Sequence, residues 1–303
     1  MKIACHILSY NVDLFIDEAL KNSAPNVDKI YITYSILPWG YNKTARMTNR
    51  NPTTLGRVKD AILRLKAEIG PKADIEIIQG EWESEDETRN LCLDKATKEG
   101  FDWLIIQDAD EFYSQNSWKM IKDVLRDDAI SECIQTTWYT FWKSSHFVIQ
   151  NKNGDIKSNN VCFALRCGSG KRFVGSRATT SDKISLIDAP CYHYSYVMSD
   201  DEMVEKVTTW GHAHQFDSRK WLRHKWFNWN LDTRNLHPLD PAAWRRVIRF
   251  PNEQPDFSTK FALPITVKRD VSLRDSLGNL AWDMNAEFYH AARKMKRSVV
   301  GKA

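Results

Sequence analysis

Gly100-Phe-Asp-Trp103-Leu-Ile-Ile-Gln107-Asp108-Ala-Asp110-Glu111-Phe-Tyr113 is the stretch on which the fold of this chain turns. Its first half, Trp103–Gln107, is almost wholly apolar, as a strand must be when helices cover both of its faces. Directly behind it stand three carboxylates in four residues: Asp108, Asp110 and Glu111. At a strand end such groups repel one another unless a proton or a cation sits among them. Hard oxygen ligands of this kind suit Mg²⁺ or Mn²⁺, which in turn can hold a diphosphate. The plainer alternative is an acidic loop, or the start of a helix, where carboxylates are favoured.

Working outward toward the N-terminus, apolar runs alternate with amphipathic stretches. Strands are expected at Lys2–Ser9, Lys29–Tyr34 and Ile75–Gly80, and helices at Asp13–Asn22, Thr54–Glu68 and Glu85–Gly100. This order defines an α/β chain with a mostly parallel sheet, in which ligands bind beyond the carboxyl ends of the strands. Tyr10-Asn11, Tyr34–Trp39, Glu81–Glu83 and Asp108–Glu111 all fall at such ends.

Beyond Arg126 the texture changes. Ile134–Tyr139, Phe147–Gln150, Val161–Leu165 and Ile187–Tyr196 read as the antiparallel part of a mixed sheet. After Ser199 the pattern turns helical and rich in Trp, His and Arg, over Asp201–Trp210, Ser218–Trp229, Ala242–Phe250 and Leu280–Arg297. Gly168-Ser-Gly170-Lys171 lacks the spacing of a phosphate loop and reads as a hairpin turn.

The 303 residues suffice for one large α/β domain with an appended helical module. The opening thirty residues, interrupted by Asn11, Asp13, Asp17 and Glu18, fit neither a secretory nor a transit segment. No apolar run is long enough to span a bilayer. The six cysteines are scattered, with Cys5, Cys133 and Cys191 in apolar runs, so free thiols in a reducing cytoplasm are expected. Net charge is +4 but uneven: residues 204–303 hold 18 Lys and Arg against 10 Asp and Glu. Such a basic tail suits a polyanionic acceptor, a diphosphate-bearing substrate, or merely solvated helix faces. Within it, Trp221-Leu-Arg-His-Lys-Trp226-Phe-Asn-Trp229 interleaves aromatic and basic side chains, a texture that serves either base stacking or a helical core.

The Gly100–Tyr113 run resembles the D-x-D segment of family 2-like glycosyltransferases with the GT-A (Rossmann-like) fold. The likeness extends to Met1–Asn11, to Thr88-Arg89-Asn90 on the preceding helix, and to Cys191-Tyr-His193-Tyr-Ser-Tyr196 with Lys206 and Trp210-Gly-His212. It covers roughly residues 1–215. It implies a GT-A core over residues 1–198 that takes a nucleotide-sugar donor; the helical, basic, aromatic-rich texture of residues 199–303, read from the sequence itself, makes that region a candidate for acceptor binding. It implies Mn²⁺ or Mg²⁺ held by Asp108, Asp110 and His193, and donor contacts from Tyr10, Asn11, Arg89, Asn90 and Asp108. Lys206, near His212 and His214, would offset phosphate charge as the nucleotide departs.

Two departures accompany the likeness. The end of the second strand, Tyr34–Gly40, carries no acid, which leaves Trp39 to stack on the base. Arg172-Phe-Val-Gly175-Ser-Arg177-Ala178 lacks the family's His-Glu pair, so Glu111, Asp182 and Asp200-Asp201-Glu202 are the candidate bases. The function expected is transfer of a sugar to a hydroxyl of a saccharide, or of a polyanion such as hydroxymethylated DNA. A metal-dependent nucleotidyltransferase and a non-catalytic sugar-binding protein are the alternatives.

Overall fold

The computed structural model describes residues 1–40, 43–70, 74–175, 177–209, 215–240, 243–265 and 271–300. The elements run β1 (Ile3–Ser9), α1 (Ile16–Ser23), β2 (Lys29–Ser35), α2 (Lys43–Thr48), α3 (Leu55–Ile69), β3 (Asp74–Gly80), α4 (Glu85–Lys98), β4 (Trp103–Ile106) and β5 (Glu111–Phe112). There follow α5 (Gln115–Asp127), β6 (Cys133–Trp142), β7 (Ser144–Gln150), β8 (Lys157–Arg166), β9 (Phe173–Val174), β10 (Ala178–Thr179), β11 (Ile184–Leu186) and β12 (Cys191–Tyr196). The rest comprises α6 (Asp200–Thr209), α7 (Ser218–Trp221) continued by a π-helical turn (Leu222–Phe227), β13 (Arg246–Arg249), a 3₁₀ turn (Asp256–Phe261) and α8 (Leu273–Val300).

The chain forms two compact units interleaved in sequence. The first takes residues 1–139, 159–195 and 209–211; the second takes 140–158, 196–208 and 212–303. In the first unit β3, β2, β1 and β4 lie side by side and parallel, with β8 antiparallel against β4. This is a mixed α/β sheet flanked by helices, as the βα alternation predicts. Every residue of β4 is buried, which accounts for its apolar run. Ser84 caps α4 by accepting the amide of Glu87, and Thr88, Arg89, Cys92, Leu93 and Ala96 form its inward face. That face joins Ala4, Leu104, Ile106 and Cys162 in one core, so the C-terminal end of β4 is built on a rigid base.

In the second unit β13 pairs antiparallel with β7. Trp142, Phe147, Tyr196, Trp221, Trp226, Trp229, Trp244 and Val247 pack in one cluster.

Three expectations need correction. The strand expected at Ile187–Tyr196 is shorter: β12 begins only at Cys191, directly after Pro190, which cannot donate to a ladder, and β11 lies before the expected range. Where a helix is expected at Ala242–Phe250, Ala242 lies outside the described residues and Arg246–Arg249 form β13, paired with β7, with Val247 buried and both arginines exposed. The helix expected over Ser218–Trp229 is α for four residues and then widens to the π turn. Helix α5 is an addition; Ser114 caps it and Trp118, Ile121 and Leu125 form its buried stripe.

Candidate active site

The carboxylate cluster begins where β4 stops. Gln107 extends the strand by donating its amide to the His6 carbonyl at 3.1 Å. The chain then turns tightly: the Glu111 amide donates to the Asp108 carbonyl at 2.9 Å, and the Asp108 amide to Glu111 Oε2 at 3.3 Å. Gln107 Nε2 closes the turn on the Glu111 carbonyl at 2.8 Å. Glu111 and Phe112 then pair antiparallel with His193 and Tyr192, and the Tyr194 amide donates to the Asp110 carbonyl at 2.8 Å. This ladder sets His193 opposite the turn, with Nε2 3.8 Å from Asp110 Oδ1. The imidazole also lies against the indole of Trp138, centroids 4.3 Å apart.

Two buried guanidinium groups stand behind the turn. Arg89, on the inward face of α4, places Nη2 2.8 Å from Glu85 Oε2 and 3.5 Å from Asp108 Oδ2. Arg177 lies in the turn between β9 and β10 with φ of 68°, a left-handed conformation that costs a non-glycine residue energy. Its Nη2 is 3.2 Å from Asp108 Oδ2 and bonds Glu111 Oε1, while Nη1 donates to the Ile106 and Cys162 carbonyls at 3.4 Å.

The electrostatics follow from this arrangement. Burial pushes the Asp108 carboxyl upward, but Arg177 and Arg89 outweigh it and hold the group well below the usual carboxylate range. Glu111 is fully buried, and that burial, with the Asp108 charge, raises its carboxyl against the pull of Arg177. His6, buried beneath the site and bonded through Nε2 to Thr33 Oγ1 at 2.7 Å, is pushed down to about 3 by burial and by the Arg89 charge. It is neutral at pH 7.

Asp108 Oδ1 has no hydrogen-bond partner among the described residues. A buried, ionised oxygen in that state is a ready acceptor for a ligand. Among the described residues no group of three or more His, Cys, Asp and Glu gathers to hold an ion. The donor set nearest to one is the Asp110 carboxylate facing the His193 imidazole. Two protein ligands suit Mg²⁺ or Mn²⁺ where substrate phosphates and water supply the rest.

The other expected residues are placed as follows. Tyr10 and Asn11 lie just beyond β1; Asn11 has φ of 55°, and its amide donates to Asn51 Oδ1 at 3.0 Å. Asn51 Nδ2 in turn bridges the Ser9 and Ser35 carbonyls, tying together the ends of β1 and β2. Trp39 is buried, its ring 6.3 Å from that of Tyr10. Asn90 clamps Phe173 through both of its backbone polar groups. Asp182 is 89% exposed and pairs with Lys171 at 3.8 Å. Lys206 belongs to the second unit, its ammonium 5.4 Å from the Tyr196 ring. Asp200, in the same unit, accepts from Trp226 Nε1 at 2.7 Å, while Ser199 and Glu202 cap α6 reciprocally. Trp210, His212 and His214 lie outside the described residues.

Sequence reasoning missed Arg177, His6 and Asn51. Arg177 falls within the Arg172–Ala178 stretch, and no local sequence signal marks it as the partner of the carboxylates.

No protein-family model matches the chain, and no curated protein matches it. Among solved structures, a mannosyltransferase from Pyrobaculum calidifontis in complex with GDP-Man and Mn²⁺ is similar with TM-score 0.40 and 13% identity, over 71% of this chain and 64% of that one. A 4-diphosphocytidyl-2C-methyl-D-erythritol synthase from Anaerococcus prevotii is similar with TM-score 0.36 and 12% identity, over 66% of this chain and 94% of that one. Likeness at this level supports no assignment of activity.

Proposed function

We propose that the chain is a metal-dependent glycosyltransferase that moves a sugar from a nucleoside-diphosphate sugar to a hydroxyl group. The observation that carries this reading is the Asp108–Glu111 turn at the end of a fully buried parallel strand, backed by two buried arginines and faced by His193. Strand ends of this kind are where α/β sheets take nucleotide ligands.

Each residue has a part in this reading. Arg89 and Arg177 keep Asp108 ionised, so its Oδ1 accepts a hydrogen bond from a donor hydroxyl such as that of the ribose. Glu111, with no exposed surface, fixes the turn through Arg177 and the Asp108 amide; it is a positioning residue. Asp110 and His193 would hold Mn²⁺ or Mg²⁺, which would supply charge to stabilise the departing diphosphate. Tyr10 and Asn11, at the neighbouring strand end, receive the nucleoside side of the donor, and acceptor recognition falls to residues 199–303.

A saccharide hydroxyl is the acceptor class this reading favours over DNA. Trp221, Trp226 and Trp229, the rings that base stacking would require, are at most 1% exposed. A nucleotidyltransferase is separated by its product, since it releases pyrophosphate. The first test is a thermal-shift screen of nucleotide-sugars with and without Mn²⁺. A melting temperature raised by one of them only when Mn²⁺ is present is expected; no shift with any of them opposes the reading.

A further inference from the structure

The longest helix of the chain, α8, turns an unusually apolar face outward. Leu273 is 77% exposed, Leu277 57%, Leu280 56%, Met284 66% and Phe288 78%. Leu273 and Met284 are eleven residues apart in sequence, as are Leu277 and Phe288. An eleven-residue spacing, about 3.67 residues per turn, keeps side chains on one side of a helix with little drift. The five therefore form one stripe.

The side of α8 away from the stripe, and its flank at Asp283 and Glu287, are spent on the second unit. Arg223 pairs with Asp275 at 2.7 Å, Lys225 with Asp283 at 2.7 Å, and Arg245 with Glu287 at 2.7 Å. Trp282 packs against the tryptophan cluster. Gly278 lies so close to the His224 ring that a Cβ there would fall 2.4 Å from Cε1. This face fixes the roll of the helix, and so fixes the stripe outward.

Charge indicates what the stripe meets. The acids of α8 are Asp275, Asp283 and Glu287, and all three are already paired with basic residues of the same unit. By sequence the same helix carries five bases, Arg274, Arg293, Lys294, Lys296 and Arg297, against those three acids, so its net charge is positive. An apolar stripe on a helix of net positive charge is complementary to an anionic bilayer surface. No helix among the described residues is long and apolar enough to cross a membrane, so the contact is one of lying on the surface.

We propose that α8 docks this protein on anionic membrane surfaces, with Leu273, Leu277, Leu280, Met284 and Phe288 entering the headgroup boundary.

The test is co-sedimentation of the full chain with vesicles of phosphatidylcholine, alone or mixed with phosphatidylserine, alongside L277E/M284E, whose substituted positions are exposed. Thermal melting of that variant should match the wild type, which removes misfolding as a cause. The expected result is binding to the mixed vesicles that weakens with salt, is at least about tenfold weaker on pure phosphatidylcholine, and falls about tenfold or more in the variant. No binding of the wild type to mixed vesicles, or equal binding by the variant, overturns the proposal. So does a concentration-dependent dimer in analytical ultracentrifugation that the variant abolishes, because the stripe then belongs to a second copy.

Discussion

Arg177 places Nη2 3.2 Å from Asp108 Oδ2, so a residue at a left-handed turn in one part of the chain neutralises the strand-end carboxylate of another. The same guanidinium is the partner of the fully buried Glu111. Removing it leaves one buried carboxylate unpaired and a second held only by Arg89. Arg177→Ala should cost about 3–5 kcal/mol, the range for breaking a buried pair from one side. Urea unfolding at constant slope checks this. Arg177→Lys keeps the charge but not the fork, and should fall between the two.

His6 gives the protein an acid limit. Its folded value, about 3, lies below its ordinary 6.5 because burial and Arg89 disfavour the imidazolium. The unfolded chain therefore binds the extra proton first. Stability from this group is full above pH 6.5 and is lost as pH falls from 6.5 toward 3, by up to about 1.4 kcal/mol per unit. In His6→Gln the slope of unfolding free energy over that window should flatten by about one proton. An unchanged slope rules His6 out as the cause.

Asp110 and His193 should divide metal dependence between them. Asp110→Asn keeps the shape of the turn but removes a charged ligand, and is expected to weaken Mn²⁺-supported donor binding by about 10- to 100-fold. His193→Ala is expected to do the same, whereas Asp182→Asn, at an 89% exposed side chain, should leave it unchanged. Calorimetric titration of donor at fixed Mn²⁺ measures all three.

Lys225 is the corresponding stress point of the second unit. Fully buried, it donates to the Arg234 carbonyl and to Asp283, both at 2.7 Å, and also bonds Asn279. Lys225→Ala should destabilise by about 3–5 kcal/mol, since it strands Asp283 and opens a cavity. Lys225→Met, which fills the volume, should lose less.

How far these features are legible in sequence depends on the range of the interactions that make them. Trp103–Gln107 and its carboxylates are readable because a strand covered on both faces leaves an unbroken apolar run with a polar end. His193 is half-readable: alternation in β12 puts it on the less buried face, but only its pairing with β5 brings it to Asp110. Arg177 is not, since it meets Glu111 across 66 residues and nothing local announces the contact. The Trp221–Trp229 texture has two readings because helical spacing of aromatics serves core and stacking alike. Burial of all three tryptophans selects the core. Residues 242–250 mislead because Ala and Arg favour a helix while Arg246–Arg249 take their conformation from β7.

The central claim is that the Asp108–Glu111 turn drives departure of a nucleoside diphosphate. Its most direct test is product analysis of the donor that the thermal screen selects, incubated with Mn²⁺ and wild-type or Asp110→Asn protein. The account predicts release of nucleoside diphosphate by the wild type, falling by at least about 100-fold in the variant. Release of pyrophosphate, or turnover unchanged in Asp110→Asn, would contradict it.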